Sequence, residues 1–177
     1  MSAEVVIRPA TPADLPSIQR IYAHHVVTGL ASFEEVAPDL AEMTRRYGAL
    51  VEAGFPYLVA EEGGGVVGYT YCGPYRPRPA YRYSVENSVY LAPEAARRGI
   101  GRRLLEALIE RATALGKRQM VAVIGDSANH ASTGLHKAMG FRMVGIIEAS
   151  GFKHGRWVDS VLMQRALGDG RTTPPAP

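Results

Sequence analysis

Between Val89 and Gly116 an apolar strand end, a glycine turn and a long amphipathic helix follow in close succession. Val89-Tyr90-Leu91 closes the strand and Arg97-Arg98-Gly99-Ile100-Gly101-Arg102-Arg103 makes the turn. Leu104, Leu105, Leu108, Ile109, Ala112 and Leu115 then recur at helical spacing. This order leaves the first N–H groups of the helix unpaired and directed at one spot. Two glycines permit close approach of a ligand, the helix dipole favours negative charge, and the arginines add charge-assisted bonds. The turn predicts a site for a phosphate or pyrophosphate; a structural glycine turn with solvated arginines is the plainer alternative. It is not a Walker loop, since no Gly-Lys-Ser/Thr follows, and it does not open the chain as a dinucleotide-binding unit does.

The remaining elements follow from spacing. Val5-Val6-Ile7 reads as a strand, and Thr11-Pro12-Ala13-Asp14 as a helix start ahead of Leu15, Ile18, Ile21 and Tyr22. Asp39 or a neighbour opens a second helix through Leu40, Met43, Tyr47, Leu50 and Val51, stopped by Gly54 and Pro56. Tyr57–Ala60 and Val66–Tyr71 flank a glycine-rich hairpin turn. Tyr83 to Leu91 alternates, with Val85, Asn87, Val89 and Leu91 on one face and Ser84, Glu86, Ser88 and Tyr90 on the other. Gln119–Ile124 suits a buried strand, Asn129–Met139 a helix, and two further strands follow from Phe141 and from Trp157.

The order β-α-α-β-β-β-α-β-α-β-β predicts an α/β (α+β mixed) fold, a mixed sheet with helices on both faces. One domain is expected over 1–167, and a Gly, Thr and Pro-rich tail over 168–177 is expected to be disordered. No apolar run approaches the roughly 20 residues that span a bilayer, and Glu4 and Arg8 interrupt any N-terminal signal region. The single cysteine, Cys72, excludes an internal disulfide and a cysteine zinc site. A soluble, cytoplasmic chain without a metal is expected. Its formal charge of +3 is too small, and its arginines too scattered, for a nucleic-acid binder.

The turn resembles motif A of the GNAT superfamily of N-acetyltransferases, Gln/Arg-x-x-Gly-x-Gly/Ala after a strand. Here Ala96-Arg97-Arg98-Gly99-Ile100-Gly101 stands in its place, so Ala96 departs from the first position. Asn129, Ser132 and His136 share a helix face, and the run from Asn129 through Lys137 to Phe141 resembles motif B of that superfamily. The resemblance implies a mostly antiparallel central sheet, acetyl-CoA as acetyl donor, and contacts to it from Val89–Leu91, the turn including Arg97, Arg98, Ile100 and Arg102, Asn129, Ser132 and Lys137. It also implies a His136 near the thioester sulfur, able to protonate the departing thiolate. For Asn129 a helix N-cap is the simpler role, and the two are compatible.

The run Tyr71 to Tyr90, with Ala31-Ser32-Phe33-Glu34 and Gly151-Phe152-Lys153-His154-Gly155-Arg156-Trp157, resembles the phosphinothricin and methionine sulfoximine-sulfone acetyltransferase branch. That resemblance implies an amino-acid-like substrate, a substrate loop carrying Phe33 and Glu34, a site also drawing on Tyr83, Asn87 and Ser88, and a homodimer. By chemistry, Arg76 and Arg78 around Pro77 form a fork suited to a carboxylate if the segment is extended; solvated loop arginines are the alternative. Glu86 could accept the proton of an attacking amine, or face solvent, or pair with Arg82. Six of the nine tyrosines fall between Tyr69 and Tyr90 and could wall a pocket, though tyrosine is also an ordinary strand residue. The same resemblance implies that His154 and Trp157 help line a site or a subunit interface; buried packing is the simpler reading of Trp157. Acetylation of Cys72 in a two-step route is disfavoured because no histidine adjoins it. Other amines as acceptor, or a non-catalytic acetyl-CoA-binding module, remain open.

Overall fold

The computed structural model describes residues 4–175. The elements are β1 (Val5–Pro9), α1 (Leu15–Thr28), α2 (Leu40–Glu52), β2 (Tyr57–Glu62), β3 (Gly65–Pro74), β4 (Ser84–Leu91), α3 (Ile100–Ala114), β5 (Gln119–Gly125), α4 (His130–Ala138), β6 (Arg142–Lys153) and β7 (Arg156–Ala166). They form one seven-stranded sheet in the order β1-β2-β3-β4-β5-β7-β6. Only β4 and β5 run parallel, because α3 is the crossover between them; the other pairs are antiparallel.

Amphipathic spacing decides which face each helix covers. α1 buries Leu15, Ile18, Ile21, Tyr22 and Val26, and with α2 it lies over the face that carries Tyr57, Tyr69 and Tyr90. α3 buries Leu104, Leu105, Leu108, Ile109 and Ala112 against Cys72, Val85 and Met120 on the other face. At about 1.5–3 kcal/mol for each fully buried large apolar side chain, this helix is a principal source of stability. Close approach there requires Gly68, where a Cβ would stand 2.6 Å from Leu91 and 3.2 Å from Leu104. The expected helix start at Thr11 carries a capping box with Asp14, and Arg8 donates two 2.8 Å bonds to Asp14 and one of 2.7 Å to Glu61.

One expectation is corrected. Tyr75 to Arg78 bends at every residue instead of running extended. The chain after β7 is tied down: Leu167 is buried, and Arg118 donates to the carbonyls of Gly170 (3.3 Å) and Pro174 (3.1 Å) and to Thr173 Oγ1 (3.1 Å). Residues 176–177 of that expected tail, like residues 1–3, lie outside the described residues.

Candidate active site

The sheet forks in the middle. β4 pairs with β5 only from Ser84↔Gln119 to Asn87↔Ala122. Beyond that, β4 stays with β3 as far as Gly68↔Leu91, while β5 stays with β7 as far as Gly125↔Ser160. The facing backbone edges of 88–91 and 123–125 therefore do not pair with each other, and a polar backbone edge seeks partners. A cleft of about 570 Å³ opens in the fork, lined among others by Val89, Tyr90, Leu91, Ala96, Asn129 and Ser132.

The glycine turn stands at the mouth of this cleft. Arg97 (φ 62°) and Gly99 (φ 77°) both adopt the left-handed conformation, curling the backbone just before α3. The first capping bond runs from the Arg103 N–H to the Gly99 carbonyl (3.2 Å), so the N–H groups of Ile100, Gly101 and Arg102 precede it without a helical partner. A Cβ on Gly99 would meet nothing within 4 Å, so the approach to the backbone is open. Arg97 and Arg102 are exposed at this turn. Arg98 is not free: it forms a two-bond ion pair with Glu62, with one contact of 2.9 Å.

α4 contributes the opposite wall. Asn129 caps it, its side-chain oxygen accepting the Ser132 N–H at 3.1 Å. His136 is 3% exposed and its ring is fully engaged: Nδ1–H donates to the Ser132 carbonyl (2.8 Å), and Nε2 accepts from the Asn87 side-chain amide (2.9 Å). Burial holds its pKa below the ordinary histidine value, against the opposing pull of the Ser132 carbonyl. With both ring nitrogens bonded within the protein, His136 is held between Asn87 and the Ser132 carbonyl. Asn87, expected toward the substrate, instead points to the α3–α4 side with this histidine, and its Oδ1 is buried without a partner at the floor of the fork. Lys137 is not among the residues lining the cleft; it lies in a separate groove with His130, Arg142 and Met143.

The other face of β4 carries Glu86 and Ser88. Glu86 is half-buried and forms no salt bridge among the described residues; Arg82 lies over Tyr83 instead. Burial raises the Glu86 pKa, and the positive charge of Arg76 pulls it back. Arg76 is itself laid over the Tyr75 ring, 4.5 Å from its centre, and Arg78 is exposed on the same bent segment. Beside them runs a tyrosine stack: Tyr57 with Tyr71 at 4.9 Å, Tyr69 with Tyr90 at 5.5 Å, and Tyr22 edge-on to Tyr90 at 5.1 Å. Tyr83, by contrast, stands at the start of β4 in a groove shared with residues 170–175.

The loop between α1 and α2 borders this region. Glu34 accepts from Tyr22 Oη and from Arg46 at 2.7 and 3.1 Å. Arg46 holds its carboxyl below the usual range. Glu34 is thus already paired and orients the loop. The Phe33 ring lies against Gly125 and Gly151. Cys72 is fully buried and its thiol is pushed up to about 12, which removes the thiolate a nucleophile would need.

The family model described as an acetyltransferase (GNAT) domain matches residues 7–162. The chain belongs to the GNAT acetyltransferase family. It is 54% identical to a phosphinothricin N-acetyltransferase of Alcaligenes faecalis over 169 residues, 96% of this chain and 86% of that protein. It is 43% identical to an L-methionine sulfoximine/L-methionine sulfone acetyltransferase of Pseudomonas paraeruginosa, over 95% of this chain and 98% of the relative. A GNAT phosphinothricin acetyltransferase from Sinorhizobium meliloti, solved in complex with AcCoA, superposes with a TM-score of 0.94 at 49% identity, covering 97% of this chain and 93% of the other.

Several residues of this GNAT site escape sequence reasoning. Arg46 reaches Glu34 across 12 residues, and only its spacing from Glu42 on α2 hints at an ion-pair network. His25 donates from Nε2 to the Leu91 carbonyl (2.7 Å), joining α1 to the end of β4. Nothing local marks that contact, since 66 residues separate the partners. Trp157, most simply read as buried, is 67% exposed beside Phe152.

Proposed function

We propose that this enzyme transfers an acetyl group from acetyl-CoA to the α-amino group of a small amino acid of the phosphinothricin, methionine sulfoximine or methionine sulfone type, by direct attack in a ternary complex. The observation that carries the reading is the fork: β4 leaves β5 just past Glu86, so a ligand threaded between the strands ends beside an unpaired, half-buried carboxylate.

The residues fit acetyl-CoA. The left-handed turn at Arg97 and Gly99 and the free N–H groups of α3 suit its diphosphate. The unpaired edges of Val89–Leu91 and 123–125 suit an amide-bearing arm. The Asn87 Oδ1 in the floor of the fork is buried without a hydrogen-bond partner. When bound, acetyl-CoA supplies the acetyl group as an activated thioester. Asn129 keeps its side-chain N–H₂ as a donor toward the cleft once its oxygen has capped α4.

On the acceptor side, Glu86 takes the proton of the substrate ammonium, directly or through one water. Its raised pKa makes it a better proton acceptor than an ordinary exposed glutamate. Arg76 and Arg78 hold the substrate carboxylate, and Ser88 and Phe33 border the same space. A backbone N–H near Leu91 would stabilise negative charge developing on the thioester oxygen. His136, with both nitrogens bonded, acts as a positioning residue for Asn87 and α4.

We also propose a homodimer. Met143, Val144, Ile146, Ile147, Phe152 and Trp157 are each about half exposed or more along the β6 edge and the β6–β7 turn, a strip that a second copy would cover. Residues 1–167 are read as one domain in the cytoplasm; no helix among the described residues is long and apolar enough to cross a membrane.

Thiol release from acetyl-CoA tests the substrate class. Turnover is expected with phosphinothricin, methionine sulfoximine and methionine sulfone, and is expected to fall about a hundredfold when the α-carboxylate is amidated, which removes a two-bond ion pair. Equal turnover of the amidated compound, or faster turnover of a peptide N-terminus or polyamine, would overturn the assignment in favour of another amine.

A further inference from the structure

The fork divides the molecule into a β1–β4 half, covered by α1 and α2, and a β5–β7 half. One loop, residues 30–34, touches both beside the cleft. On the first half it is hooked by Tyr22, whose hydroxyl shares a 2.9 Å bond with Ser32 Oγ and donates to Glu34, and by Arg46 on Glu34. On the second half it meets Lys153 and Gly151, which the mechanism does not use, and Gly125, whose backbone also borders the cleft. Lys153, at the end of β6 and 3% exposed, donates from Nζ to the Ser32 carbonyl at 2.7 Å. Gly151, two residues earlier on the same face of β6, leaves room for the Phe33 ring: a Cβ there would stand 2.6 Å from Phe33 Cε2 and 2.7 Å from Cδ2. Gly125, the last residue of β5, does the same for the loop backbone, since its Cβ would lie 2.1 Å from the Leu30 carbonyl oxygen.

We propose that Gly125, Gly151 and Lys153 form a socket that seats the 30–34 loop across the fork, and that Lys153 is a positioning residue for the acceptor site. The inference rests on the reading that the amino-acid acceptor binds beside Glu86, bordered by Phe33. The argument is steric and electrostatic. A buried ammonium normally has a carboxylate in direct contact. Lys153 makes no salt bridge among the described residues: Glu35 and Glu34 act on it from beyond ion-pair distance, and its Nζ donates to a loop carbonyl. With Ser32 displaced, that cation would lose its bonded partner, so loop and lysine hold each other. The two glycines remove the side chains that would keep the loop out. Seating therefore fixes Phe33 at the acceptor space from the β6 side, while Glu34, locked by Arg46, fixes the other end.

Two substitutions test this separately from the chemistry. Gly151→Ala adds one methyl whose three nearest atoms are all in the Phe33 ring, and Lys153→Met removes the bond to Ser32. Each is expected to raise the acceptor KM about tenfold with kcat within about threefold and acetyl-CoA affinity unchanged by calorimetry, the pattern of lost acceptor positioning. In a Phe33→Ala background, Gly151→Ala is expected to have no further effect, because the ring it displaces is gone. Chymotrypsin cleavage at Phe33 in the unliganded protein supplies the readout that does not depend on turnover, and it is expected to speed up about tenfold in both variants as the loop unseats. Unchanged cleavage in Gly151→Ala, or an equal KM rise with and without Phe33, would overturn the socket. Should the wild type turn over no amino acid at all, the functional reading falls, while the cleavage rates still decide whether the socket holds the loop.

Discussion

Glu86 and Arg76 act on each other's charge, and that coupling gives a measurable sign. Burial disfavours the Glu86 carboxylate and Arg76 favours it. Since the base must be ionised, kcat/KM is expected to fall as pH drops through a Glu86 pKa lying above the ordinary glutamate value. Arg76→Gln removes the favouring cation, so the acidic limb of the profile should move to higher pH, beyond any loss of amplitude from weaker carboxylate binding. A limb that stays put or moves down would separate the two residues. Asp14 gives the opposite sign for stability. Arg8 holds its carboxyl at about 2, so its stabilisation is complete above the unfolded value and is lost as pH falls from about 4 toward 2. Asp14→Asn should flatten acid unfolding over that window, measured by denaturant midpoints. The left-handed Gly99 turn and the Asn129 cap of α4 are legible in the sequence because each is local to its turn. The partners of His136, Asn87 and the Ser132 carbonyl, are not, because the first contact forms only when α4 is packed against β4.

At the scale of elements, the strand–turn–helix unit around Gly99 couples backbone conformation to ligand capture. With φ at 77° and no atom within 4 Å of a would-be Cβ, Gly99→Ala strains the turn without clashing. A left-handed L-residue costs about 1–2 kcal/mol, so the variant should still fold while acetyl-CoA affinity drops by about tenfold or more in calorimetry. An affinity equal to wild type would show that the turn does not hold the diphosphate. Element order was fully readable, because 3.6-residue and two-residue periodicities are strong in α1, α3 and β4 and the breaks carry Gly or Pro. Pairing was not. The fork depends on β5 following β7 away from β4. The Arg98–Glu62 bridge joins residues 36 apart. The prolines at Pro74, Pro77 and Pro79 give neither an α-helix nor a straight strand: the chain bends at 75–78 and makes one 3-10 turn at Pro79–Tyr81.

The whole molecule presents two halves joined below the fork and strapped near its mouth, with an apolar strip along the β6 edge. If a second copy covers that strip, Trp157→Lys together with Phe152→Ser should shift the mass measured by light scattering from dimer toward monomer, while the circular dichroism of the fold persists. A wild-type mass of one chain would contradict the dimer. For Trp157 the sequence leaves buried packing and a subunit interface both open; the position of β6 at the sheet edge and its 67% exposure exclude burial within the chain. The account as a whole depends on Glu86 deprotonating an amine held where the strands part. Thiol release from acetyl-CoA in the presence of phosphinothricin, compared between wild type and Glu86→Gln, tests this most directly. The account predicts steady release by the wild type and a loss of about a hundredfold or more in kcat for Glu86→Gln, the usual contribution of a general base; a variant as fast as wild type would contradict it.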